Sequence, residues 1–137
     1  MPDTRYALTV DVAMPIAATR EIVTELLKQE GFGVLTEIDV QATLKKKLDV
    51  DVEPYVILGA CNPKFAHQAM QLEEALGVLL PCNVVLKAVD ERHTRVFLTR
   101  VAGLFSLVDN DGARTVADEV SSRFERIAEE LRNVADA

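Results

Sequence analysis

The chain has 137 residues, room for one domain spanning 1–137, and its 49% apolar and 27% charged residues are those of an ordinary globular protein, not a disordered one. Fifteen basic residues against 22 acidic ones leave a net charge of −7, which repels polyanions and argues against a nucleic-acid partner. The first residues lack a secretory pattern, and no run approaches the roughly 18 apolar residues of a membrane-spanning helix, so a cytoplasmic protein with no membrane partner is expected.

Taken in chain order, Tyr6, Leu8, Val10 and Val12 alternate with Ala7, Thr9 and Asp11, the period of a half-buried strand. Pro15 suits the first turn of a helix, which Ile16, Ile22, Val23, Leu26 and Leu27 give an apolar face and Gly31 stops. A second strand is expected over 32–38, with Phe32, Val34, Thr36 and Ile38 on one side and Leu35, Glu37 and Asp39 on the other. Asp39 is placed to cap a helix over 40–48, whose last turn holds Lys45, Lys46 and Lys47. No glycine-rich cradle accompanies these lysines, so they read as cations at a helix C-terminus and not as a phosphate site.

A third strand follows over 55–61. Asn62-Pro63 then starts a helix with Phe65, Ala66, Ala69, Met70 and Leu76 as its stripe and Gly77 as its end. A fourth strand extends to about Val89. The turn Asp90-Glu91-Arg92 makes it a hairpin with a fifth strand over 93–101. After the turn Asp109-Asn110-Asp111-Gly112, the residues Val116, Val120, Phe124, Ile127, Leu131 and Val134 mark a long amphipathic helix. With Gly112 at position 6 of a calcium loop, position 1 would be Leu107, so turn chemistry is the better account of these acids. The order β-α-β-α-β-α-β-β-α, with polar residues on one parity of the strands, predicts an α+β two-layer sandwich. Its sheet would be mixed but largely antiparallel, with the helices packed on one face.

Three strings carry a resemblance: Gly31-Phe32-Gly33-Val34-Leu35-Thr36-Glu37-Ile38-Asp39-Val40, then Leu58-Gly59-Ala60-Cys61-Asn62-Pro63 with Ala66-His67, then Leu79-Leu80-Pro81-Cys82-Asn83-Val84-Val85. In this order they resemble the bacterial and archaeal family called domain of unknown function 302. Thr99-Arg100-Val101-Ala102 departs from it, an Asp-Pro being common at that point. The resemblance implies a compact α/β sandwich assembled as a homodimer, and no activity.

Cys61, His67 and Cys82 are the one constellation with metal-ligand chemistry, thiolate and imidazole suiting zinc. They form no compact paired motif, and Cys82 shares parity with Leu80, Val84 and Leu86, as a small core residue would. A metal or a small ligand held there is the first expectation. The second is an enzyme with Cys61 as nucleophile, activated by His67 and the helix terminus. Asn62 or a backbone N–H would polarise the substrate, and Glu37 and Asp39 would be available as base or ligand. Glu37 also reads as a solvent-facing strand residue, Asp39 as a cap and His93 as solvated. The third is a purely structural dimer formed through a sheet face carrying Leu35, Val85 and Val89.

Overall fold

The computed structural model describes residues 2–135, with side chains as far as Val134. The strands are β1 (Ala7–Val12), β2 (Gly33–Asp39), β3 (Tyr55–Cys61), β4 (Cys82–Asp90) and β5 (His93–Thr99). The helices are α1 (Ile16–Gln29), α2 (Val40–Leu48), α3 (Pro63–Leu72), α4 (Val101–Phe105) and α5 (Asp111–Ala135), with a 3-10 stretch over Glu74–Leu79. The strands form one sheet in the order β1-β5-β4-β3-β2, and every neighbouring pair is antiparallel. The α+β sandwich expected from the sequence is the fold observed, with every pair among the described strands antiparallel.

Register explains which residues share a face. Leu8, Leu98, Val84 and Leu58 are successive cross-strand partners, as are Val10, Val96, Leu86 and Val56. These two rows, together with Val23 and Leu27 of α1 and Val120, Phe124, Ile127 and Leu131 of α5, make the core. Phe124 is fully buried, and Phe32 meets it edge to face with ring centroids 5.0 Å apart. Buried polar groups are satisfied: Thr94 Oγ1 donates to the Met14 carbonyl at 2.8 Å, and Thr19 Oγ1 donates to that of Pro15 at 3.0 Å, which anchors the start of α1.

The structure differs from the sequence expectation in three places. A β-bulge between Val34 and Thr36 moves Thr36 and Ile38 to the face opposite Val34, whereas simple alternation put all three together. Glu37 is turned toward α1 by the same bulge, and Arg20 takes it in a two-pronged ion pair of 2.6 and 2.8 Å. Second, β5 stops at Thr99, because Val101 opens α4 instead of ending the strand. Third, Leu76 belongs to the 3-10 stretch and not to the helix before it.

The turn from β5 into α4 is tight. A Cβ on Gly103 would run into the backbone carbonyl of Arg5, with the carbonyl carbon only 3.1 Å away, and a main-chain obstacle cannot rotate aside. Gly103→Ala is expected to cost about 1–3 kcal/mol, read from the urea midpoint, since overpacking against fixed backbone is expensive.

The two sheet edges are treated differently. Along β1 the N-terminal segment folds back: Thr9 N–H donates to Asp3 Oδ1 at 2.8 Å, and Arg100 Nη1 donates to the Thr4 carbonyl at 2.9 Å. β2, the opposite edge, is exposed at every residue except half-buried Val34. Its defence is the bulge and its charged Glu37 and Asp39, the devices that discourage open-ended pairing.

Candidate functional site

The family-like strings meet at one end of the sheet, where β2 begins, β3 ends and β4 begins. Gly31 follows α1 with φ +87°, a conformation that side chains rarely adopt, and a Cβ there would lie 2.9 Å from Asn62 Nδ2. Asn62 caps α3, its Oδ1 accepting from the Lys64 and Phe65 N–H groups at 3.1 and 3.3 Å. Arg123 of α5 lies over the Phe65 ring at 5.0 Å and donates to the Glu30 carbonyl at 2.9 Å. Gly59 leaves room for the Pro81 ring, whose Cγ would be 2.9 Å from a Cβ, and the Leu80–Pro81 peptide bond is cis. Much of the pattern in these strings therefore serves to join α1, α3 and α5 to the sheet.

The three residues with ligand chemistry sit in different surroundings. Cys82 is opposite Ala60 and shares its core-facing side, with 7% of its surface exposed. Cys61, opposite Gly33, is the next residue along and by alternation faces the other side; it is half-buried. His67 is exposed on α3. Among the described residues no group of three or more His, Cys, Asp or Glu side chains is arranged to hold a metal ion.

Both thiols hold their protons tightly. Burial pushes the Cys61 pKa up, and burial with the nearby Cys61 pushes that of Cys82 up from 9.0 to about 12. A raised pKa removes the thiolate on which nucleophilic chemistry depends. The unfolded chain releases the Cys82 proton first, so the contribution of that thiol to stability is intact below pH 9 and is lost as the pH rises toward about 12. Iodoacetamide at neutral pH is expected to modify Cys61 slowly and to leave Cys82 unmodified until the chain is unfolded, which peptide mass spectrometry reads directly.

The acids are occupied structurally. Asp39 Oδ1 accepts from the Ala42 N–H at 2.9 Å and caps α2, as its position predicts. The Arg20 guanidinium holds the Glu37 carboxyl below the usual range, which makes it a poorer base. His93 sits 2.8 Å from Asp90 in the hairpin turn, exposed.

The other face of the sheet has a different character. Ile38 pairs with Ile57, Ile57 with Val85, Val85 with Phe97, and Phe97 with Thr9. One row of side chains therefore crosses all five strands on the face away from α1 and α5, and four of its five members are large and apolar. The next row holds Tyr55, Lys87, Arg95 and Asp11, in which Arg95 donates to Asp11 at 2.7 Å. Tyr6, Tyr55, Val85 and Phe97 line a depression of about 350 Å³ on this face. Tyr55 also borders a cleft of about 570 Å³ whose far wall is Val40 and Leu44 of α2. The helix α2 thus stands beside the open face, apart from the helices that cover the core.

The sequence carried a signal for this face that strand parity alone does not use. Val56-Ile57-Leu58, Val84-Val85-Leu86 and Val96-Phe97-Leu98 are apolar on both parities, the pattern of strands buried on both sides. Only the register shows that their central residues are neighbours.

A family model for domain of unknown function DUF302 matches residues 8–131. The chain belongs to the DUF302 family. It is similar to the crystal structure of an uncharacterized conserved DUF302 protein from Bacillus stearothermophilus, with 29% identity and a TM-score of 0.84 over 94% of this chain and all of that one. No curated protein matches it. The DUF302 match spans the sheet and both helices that cover it, so the open face and α2 lie within the shared domain. Among the described residues no helix is long and apolar enough to cross a membrane.

Proposed function

We propose that this DUF302 chain works as a homodimeric module in which a second copy covers the open face of the sheet. The observation that carries the reading is the row Ile38–Ile57–Val85–Phe97, four large apolar side chains in cross-strand register on the face that α1 and α5 leave open. An antiparallel sheet that meets water normally shows it polar residues, and a contiguous apolar patch marks an interaction surface. Face-to-face pairing of two such sheets is an ordinary packing solution, with the interdigitated side chains forming a layer about 10 Å thick. A two-fold contact also needs only one surface, used twice.

The cysteine-based readings have less behind them. Cys82 packs as a core residue, His67 is exposed, and both thiols are biased toward the protonated form. Sedimentation equilibrium tests the dimer. The reading expects a mass near twice 15.1 kDa at micromolar concentration, falling toward 15.1 kDa on dilution. A mass of 15.1 kDa at every concentration tested would overturn it.

A further inference from the structure

We infer that α2 and the segment after it form a charged clasp between the two copies, resting on the open-face dimer proposed above. The helix has nine residues and none of them is buried. Helices this short are marginal in water unless their apolar side is covered. Val40 and Leu44 are half-buried in the cleft beside Tyr55, whereas Leu48 is 66% exposed and Val50 and Val52 are exposed beyond it.

The charges of this stretch name the occupant. Lys45, Lys46 and Lys47 are followed by Asp49, Asp51 and Glu53, so the segment is basic at one end and acidic at the other. Lys45 is matched within the chain, to Asp49 at 3.0 Å and to Asp51 at 3.1 Å. Among the described residues Lys46, Lys47 and Glu53 enter no ion pair. A two-fold axis passing beside this segment would set it antiparallel to its own copy, bringing each lysine end against an acidic end with Leu48 and Val50 between them. A foreign acidic protein would satisfy Lys46 and Lys47 but leave Glu53, which has no ion-pair partner among the described residues, facing like charge. The self-complementary pattern favours a second copy of this chain. Because α2 borders the open face, clasp and face contact form one continuous surface.

Charge reversal tests the clasp, with dimer dissociation measured by sedimentation velocity. Lys46→Glu with Lys47→Glu, and separately Asp51→Lys with Glu53→Lys, are each expected to weaken the dimer about ten-fold or more, and the four changes together to regain at least about three-fold. These positions are exposed, so the fold survives, and an unchanged thermal midpoint confirms that. Weakening below that level, or no recovery in the quadruple variant, overturns the clasp. If the reversals change nothing while a charge placed at Phe97 dissociates the dimer, the clasp falls and the open-face reading stands. If the reversals dissociate the dimer while a charge at Phe97 does not, the open-face reading falls and takes with it this form of the clasp.

Discussion

Phe97→Asp is expected to convert the proposed dimer to a monomer while leaving the chain folded. Phe97 lies between Val85 and Thr9, the last of the four apolar side chains in the row, and it is only half-buried within one chain, so an aspartate there meets water in the monomer. In the proposed dimer the same carboxylate would sit inside a dry contact, where removal of a well-packed aromatic side chain alone costs roughly 2–4 kcal/mol. Burying an unpaired charge adds to that. The dissociation constant should therefore rise at least about a hundred-fold, since each 1.4 kcal/mol is a factor of ten. Light scattering reads the change, and far-ultraviolet circular dichroism verifies the fold.

The second large effect lies in the core. Phe124→Ala is expected to cost about 3–5 kcal/mol, because a fully buried aromatic side chain leaves a cavity that its neighbours only partly fill. Phe124 also gives Phe32 its edge-to-face partner. In a chain of this length the loss corresponds to roughly 10–20 °C in the thermal midpoint. A drop of only a few degrees would mean that α5 is not the principal cover of the sheet.

The two variants separate what the sequence showed from what it hid. Phe124 was legible at once, since it recurs with Val120, Ile127 and Leu131 at helical spacing and that spacing alone aims it at a core. The caps were equally legible: Asp39 before α2 and Asn62-Pro63 before α3 act where their side-chain chemistry predicts. The hairpin at Asp90–Arg92 followed from turn residues between two apolar runs. Phe97 was harder to read, because its place in the apolar row depends on Val85 beside it and Ile57 beyond, and cross-strand neighbours are set by register. The bulge near Leu35 shows the same limit: one extra residue reverses every side chain beyond it, and Ile38 joins the open face for that reason.

Cys61, His67 and Cys82 illustrate the point for chemistry. Their residue types were plain, and the parity of Cys82 with Val84 and Leu86 already suggested the core. The relation of Cys61 to Cys82 depended on a pairing that sets Cys82 against Ala60 and so turns the two thiols to opposite sides. α4 was missed because Val101 continues the apolar alternation of β5. The chain turns away just after the last rung of the β1–β5 ladder, where the Arg100 N–H donates to the Tyr6 carbonyl at 2.8 Å, and α4 then packs with Gly103 close to the Arg5 carbonyl.

The location of the contact is open to a single optical measurement. The chain has no tryptophan, so Phe97→Trp supplies a lone emitter within the apolar row. If a second copy covers the open face, emission is blue-shifted at high concentration and moves red on dilution, with the midpoint at which the mass halves. Emission that stays constant while the mass halves would place the contact elsewhere and contradict the account.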